Sequence, residues 1–282
     1  CAKNAFGLEN GEISFEANPC ECDYELLARL REGGFNRISI GLQSADDNEL
    51  AALGRAHSAE QGAMAVKNAA KAGFEDISVD IMLGIPYQTR DSLAKSLKAI
   101  VALPITHVSA YMLKIETETP FGKNPPTTPD EDLTAELYLD TVQQLGKAGF
   151  EQYEISNFSK KGYECKHNLK YWRCEEYLGI GASAHSFLDG KRFATKRDIK
   201  GFIGEGIQST YITDDNAGDF EERAMLALRL REGIELGICP KNFVDRANPI
   251  VAGGLARVEN GRLSLTPNGM LISNEIIAKL LS

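Results

Sequence analysis

The sequence predicts an α/β fold: a partial (β/α) barrel, then an α+β extension, then a small winged-helix-like C-terminal domain. Three observations predict it. The segments EISFE (12–16), RISIG (37–41), DISVD (76–80) and HVSAY (107–111) share one period-2 pattern, with a serine in the same place in each. Helical stretches separate them, and strand–helix alternation is the mark of a parallel sheet. From about residue 214 the rhythm changes to helices followed by a hairpin. The expected division is 1–125 for the barrel, 126–213 for the extension and 214–282 for the C-terminal domain.

Each element follows from its local signals. A doubly wound sheet lies under helices on both faces, so its strands read as nearly continuous apolar runs. These four strands instead carry small polar residues on one face, which suits a barrel lumen. Ser14, Ser39, Ser78 and Ser109 are expected to form one inward layer. Glu16, Gly41, Asp80 and Tyr111 form the next, with Gln43 one step higher, toward the C-terminal rim where barrel chemistry sits. Asp23 is placed to cap DYELLARLREGG, and Ser58 with Gln61 makes a capping box ahead of AMAVKNAAKAG. Thr89 caps a helix through LAKSLKAIVAL, stopped by Pro104. Thr128, Pro129 and Glu131 predict a helix start, running to about Lys147. YEISNFS (153–159) reads as another strand, KRFATKR as a short strand and DIKGFIGEG as a short helix. Gly179 and Gly181 allow a tight turn, and DDNAGD (214–219) reads as a linker. Beyond it come a helix begun by Asp219 and Glu222, a hairpin with an Asn260-Gly261 turn, and a closing amphipathic helix over TPNGMLISNEIIAKLL.

Bulk composition narrows the function classes. The chain has 282 residues, 43% hydrophobic and 25% charged, enough for a core that needs no staples. A formal net charge of −9 without a basic block argues against general nucleic-acid binding, which needs cations to displace counterions. No apolar run approaches the roughly 18 residues of a membrane span, and no signal-like segment is visible. Six cysteines (1, 20, 22, 165, 174 and 239) are too sparse for a disulfide scaffold and point to a reduced, cytoplasmic setting. Residue 1 is Cys. The favoured reading is a chain that begins inside a domain, over a lipid-modified cysteine, which would ordinarily precede a tether.

Two groups of residues could carry chemistry. Glu16, Gln43 and Asp80 sit late on inward-facing strand positions, and Arg55 follows the second strand in LGRAH. Carboxylates accept from hydroxyls or an ammonium, and a guanidinium clamps a carboxylate. Together they suit a polar, zwitterionic ligand with sugar hydroxyls; singly, Asp80 could be an ion-pair partner and Arg55 a solvated charge. CKHNLKYW (165–172) is the second group. His167 can supply an axial nitrogen, while Tyr171 and Trp172 offer flat surface to a porphyrin. The bland alternative is a structural turn with Trp172 in the core. Cys165 and Cys174 are nearby thiolate alternatives, His185 is a weaker candidate, and His57 and His107 read as structural or rim-lining.

EISFEANP, NRISIGLQS, LGRAH, DIMLGIP and HNLKYW, in this order and spacing, resemble the oxygen-independent coproporphyrinogen III oxidase-like branch of the radical SAM enzymes. They resemble most its heme-chaperone (HemW-type) subgroup, over essentially the whole chain. The resemblance implies a partial (β/α)6 radical SAM barrel that binds S-adenosylmethionine at its rim, with Glu16, Gln43, Arg55 and Asp80 matching the contacting positions. It implies heme contact at His167, Asn168, Tyr171 and Trp172, with His167 as the ligand to heme iron. The implied function is a heme chaperone that delivers heme to target hemoproteins, membrane-associated acceptors among them. The alternative is the radical-driven oxidative decarboxylation of coproporphyrinogen III. An unrelated barrel enzyme on a small polar metabolite is the third reading.

The sequence also departs from that family. Its members carry a CxxxCxxC loop that holds a [4Fe–4S] cluster and then a GGTP-type stretch; the 282 residues contain neither. Cys20-x-Cys22 is too tight to substitute, since three thiolates on one loop are needed. The expectation is therefore a chain without its first two βα units, in which CAKNAFGL would follow the missing second strand. Unpaired edges of such a barrel invite association, so a homodimer is a further expectation.

Overall fold

The computed structural model describes Gly7 and residues 11–282; the helix expected over CAKNAFGL otherwise lies outside them. The chain divides into two compact units, Cys1–Glu164 and Cys165–Ser282. This is one boundary, at 164/165, where the sequence placed two, at 125/126 and 213/214.

The first unit is built on a mixed six-stranded sheet. Strands β1 (Ser14–Ala17), β2 (Arg37–Gln43), β3 (Asp76–Leu83) and β4 (His107–Met112) are parallel neighbours in chain order. Short strands β5 (Glu151–Gln152) and β6 (Asn157–Ser159) complete it in the order β1-β2-β3-β4-β6-β5, with β6 antiparallel to β4. Helices α1 (Tyr24–Glu32), α2 (Asp47–Ala52), α3 (Ala59–Lys71), α4 (Arg90–Val101) and α5 (Glu131–Lys147) join or follow the strands. Right-handed crossovers between successive parallel strands carry their helices to one face. That face is apolar: Ile38, Ile40, Val79 and Val108 are fully buried, and Phe15 meets Phe35 and Phe74 edge-on.

The helix starts follow their caps. Asp23 accepts from Leu26 N at 2.8 Å. Ser58 with Gln61 and Thr89 with Ser92 form complete capping boxes. The start of α5 differs from expectation: Asp130, not Thr128, is the cap, accepting from Leu133 N at 2.8 Å. A carboxylate so placed also favours the positive end of the helix dipole. The strand expected over 153–159 is broken. Tyr153 N bonds Asn157 O, and Glu154 Oε2 accepts from Ser156 N at 3.0 Å, so residues 153–156 turn back and only 157–159 pair with β4.

The four serines do share one sheet face, but not one hydrogen-bonded row. Glu16, not Ser14, pairs with Ser39; Ser39 pairs with Ser78; Ser78 pairs with His107, and Asp80 with Ser109. The register steps by two residues between β1 and β2 and again between β3 and β4. Such stagger is what tilted strands in a curling sheet require.

The second unit begins with helix α6 (Lys166–Trp172). A three-stranded antiparallel sheet follows, β7 (His185–Leu188), β8 (Lys191–Thr195) and β9 (Thr210–Asp214), with α7 (Ile199–Glu205) between the last two. Asp219 caps α8 (Phe220–Ala227). Strand β10 (Ile234–Glu235), helix α9 (Lys241–Ala252) and the hairpin of β11 (Ala256–Glu259) and β12 (Arg262–Leu265) make a second sheet, ordered β10-β12-β11. The hairpin turns on Asn260 and Gly261 at φ 52° and 75°, the paired positive values of a type I′ turn. The closing helix is two helices, α10 (Pro267–Leu271) and α11 (Ser273–Leu281), broken at Ile272, whose ψ of 33° is not helical. No helix of the described residues is long and apolar enough to cross a membrane.

Candidate functional site

The C-terminal ends of β1–β3 bring the four predicted rim residues onto one side of the sheet. Gln43 ends β2 in the left-handed region, at φ 68°, next to a bulge in its pairing with β3. Bulges re-aim side chains beside functional sites. The Arg55 guanidinium returns to the same strand: its Nη2 donates to Gly41 O at 3.1 Å and to Asn18 Oδ1 at 2.9 Å. Glycine at 41 is a spatial requirement. A Cβ there would lie 2.9 Å from Gln43 Nε2 and 3.3 Å from Arg55 Nη2. The Gln43 amide and the Arg55 fork thus lie together over a bare stretch of backbone. No carboxylate among the described residues pairs with Arg55, so the fork can take an incoming one.

Asp80 lies deeper on the same face. It accepts from Ser39 Oγ at 3.0 Å and from Ser109. Burial pushes its carboxyl above the usual range, the serine hydrogen bonds pull it down, and the Glu16 carboxylate adds to the rise. Glu16 itself is exposed on edge strand β1. Two carboxylates at different depths, an amide and a half-used guanidinium fit the ribose hydroxyls, ammonium and carboxylate of S-adenosylmethionine. The cradle over Gly41 is the observation that favours this fit.

The lower part of this face is a closed polar network. His107 is buried, with Nδ1 2.8 Å from Ser78 Oγ and Nε2 2.8 Å from Tyr153 OH. Burial and the Arg37 charge hold its pKa well below the ordinary value, so the ring is neutral. Arg37 itself pairs with Asp76 at 2.7 Å. His57 is buried with Nε2 3.1 Å from Leu42 O. Both histidines therefore hold structure together.

The CKHNLKYW stretch is helix α6, not a turn. Residues four apart share a helix face, so His167 lies over Tyr171 and Asn168 over Trp172. His167 is exposed, and its Nε2 is 2.9 Å from Tyr171 OH, the rings edge-on at 4.9 Å. Tyr171 in turn meets Tyr177 edge-on at 4.5 Å. Trp172 is half-buried under the Arg229 guanidinium, 5.8 Å from the ring centroid. An exposed imidazole next to one tyrosine ring is the group on this helix that could hold a metalloporphyrin iron. Cys165 and Cys174 are both buried, and burial raises the Cys174 thiol. His185 is exposed and starts β7.

Several residues near the rim were not singled out from the sequence. Asn18 holds Arg55. Glu154 and Asn157, from the broken strand, lie on the same polar face. Nothing in the local pattern marks them, because the antiparallel return of β6 against β4 is a long-range pairing. Tyr177, outside the HNLKYW run, is visible only through its contact with Tyr171. Among the described residues, no three His, Cys, Asp or Glu side chains gather as a metal-binding set.

Residues 1–100, which carry the parallel strands β1–β3 and this polar rim, match the family described as Radical SAM superfamily. The chain is 33% identical over 293 residues to the heme chaperone HemW of Bacillus subtilis (strain 168), covering 96% of this chain and 76% of that protein. It is 33% identical over 285 residues to the heme chaperone HemW of Escherichia coli (strain K12), covering 97% and 75%. In structure it is similar to coproporphyrinogen III oxidase (HemN) from Escherichia coli, with a TM-score of 0.79 at 19% identity, over 97% of this chain and 70% of that one. The chain belongs to the HemW heme-chaperone family.

Proposed function

We propose that this chain is a heme chaperone, binding heme as cargo at α6 and S-adenosylmethionine at the rim of β1–β3, and passing heme to hemoproteins. Arg55 clamps the methionyl carboxylate. Gln43 and Glu16 offer an amide and a carboxylate to the ammonium and hydroxyls, and Asp80 accepts from the ribose. In this superfamily S-adenosylmethionine supplies a 5′-deoxyadenosyl radical when a reduced cluster is present. The polar residues here bind and orient the nucleoside, and the buried Ser78–His107–Tyr153 network closes the space beneath it to bulk water. His167 would hold heme iron through a ring nitrogen, with Asn168 beside it and the Tyr171 and Trp172 rings offering apolar surface to the porphyrin. The first unit is read as a partial radical SAM barrel, and α8, α9 and the β11–β12 hairpin as a winged-helix-like unit. Cysteines 20, 22, 174 and 239, which form no disulfide among the described residues, support a reduced, cytoplasmic setting.

The observation that carries the heme reading is the exposed His167 beside the Tyr171 ring on one helix, in a chain of the heme-chaperone family. The test pairs two assays on the same preparation: heme titration in the Soret region, and conversion of coproporphyrinogen III with S-adenosylmethionine and reductant. Saturable heme binding without conversion is expected, and His167→Ala should shift the Soret band or weaken binding at least tenfold. Turnover of the porphyrinogen would establish the oxidase reading instead.

A further inference from the structure

The polar face holds one buried acceptor that has no hydrogen-bond partner among the described residues. Asp80 on β3 pairs with Ser109 on β4, and Ser109 pairs with Asn157 on β6, so the three lie in one row across adjacent strands. Asn157 is 3% exposed. Its Nδ2 donates to Glu154, a carboxylate that is itself fully buried. The Tyr111 hydroxyl lies within hydrogen-bond reach of Ser109 and Asn157. Asn157 Oδ1 is buried and, among the described residues, has no partner.

Buried polar atoms are nearly always hydrogen-bonded, and an exception calls for an explanation. Here the neighbours are informative. Asp80 and Glu154 are acceptors in their ionised forms, and Asn157 Oδ1 is a third. A site lined by acceptors selects a molecule that brings donors. The strand spacing of about 4.8 Å puts Asn157 roughly 10 Å beyond Asp80, measured along the sheet away from Arg55. A ligand whose carboxylate is held at Arg55 and whose sugar reaches Asp80 continues in that direction with its nucleoside half.

We infer that Asn157 is a recognition residue of the rim site, its Oδ1 accepting from a hydroxyl or amino N–H donor on the nucleoside half of S-adenosylmethionine. This rests on the S-adenosylmethionine reading of the rim. Glu154 acts through Asn157, holding the amide so that the oxygen faces the site. No sequence motif marks this pair, because the turn at 153–156 creates it.

The test is calorimetric binding of S-adenosylmethionine to the 282-residue chain, with Asn157→Leu, Asn157→Ala and Asp80→Ala in parallel. Both Asn157 variants should bind about tenfold more weakly, the loss of one buried hydrogen bond, while their thermal midpoints without ligand stay within a few degrees of the parent. Two analogues locate the donor, one lacking the ribose hydroxyls and one lacking the purine amine. The tenfold gap between parent and variant should close for one of them. A gap that persists with both analogues, or unchanged affinity in the Asn157 variants where Asp80→Ala loses it, overturns this inference alone. No binding by the parent chain overturns the rim reading and the inference with it.

Discussion

Asp80 accepts hydrogen bonds from Ser39 and Ser109 on a face shielded from water, close enough to Glu16 for the two charges to repel. Its carboxyl is raised in the folded chain, so the folded state holds this proton to a higher pH than the unfolded state does. Ionising it therefore costs folding free energy, and stability falls as pH rises from the ordinary carboxylate range through the raised value. Asp80→Asn should remove that fall, raising the urea midpoint at pH 7 while weakening S-adenosylmethionine binding at least tenfold; unchanged binding would take Asp80 out of the site. Gly41 gives a complementary test. In Gly41→Ala the new Cβ meets only the ends of the Gln43 and Arg55 side chains, which can swing aside. The fold should survive within about 1 kcal/mol, but ligand affinity should drop about tenfold, measured by calorimetry. Glu16, Gln43 and Asp80 were legible as rim candidates from their strand positions, and Arg55 from its place after β2 in LGRAH. Asn157 was not, because its place depends on a pairing partner about fifty residues away.

Among the elements, the segment that follows β2 is fixed by a buried carboxylate. Glu49 on α2 is 1% exposed and accepts from Ser44 Oγ at 2.5 Å and from Ser92 Oγ at 2.6 Å. Ser96 Oγ also accepts from Ala45 N at 3.3 Å. This ties the residue after Gln43 to the first turns of α4. Glu49→Ala would take the shorter acceptor from two hydroxyls and leave a cavity, costing about 2–3 kcal/mol in urea unfolding. Because Ser44 adjoins Gln43, the same variant should also weaken S-adenosylmethionine binding. A stability loss without any change in affinity would separate the tie from the site. Helix caps were readable wherever a Ser, Thr or Asp begins an apolar run, as at Asp23, Ser58 and Thr89. The shift from Thr128 to Asp130 arose because two good caps lie two residues apart, and local pattern does not rank them. YEISNFS read as one strand because period-2 alternation is blind to a side chain, here Glu154, that bonds its own backbone and turns the chain.

At the scale of the molecule, the two units carry separate halves of the proposed function. Unit one holds the nucleoside rim, and unit two holds α6 with its imidazole and aromatic faces. The α/β class and the four parallel strands were visible in the repeated serine pattern, and the Asn260-Gly261 hairpin in its dipeptide. The division at 164/165 was not, because no composition change marks it: the chain passes from β6 to α6 within seven residues. The central claim is delivery of heme, and one measurement addresses it directly. The chain is loaded with one equivalent of heme, freed of excess by gel filtration, and mixed with an apo-hemoprotein whose holo spectrum is distinct. A heme chaperone should retain the heme on the column, transfer most of it to the acceptor, and lose retention in His167→Ala. Heme that elutes free of the parent chain, or stays on it in the presence of the acceptor, would contradict the proposed function.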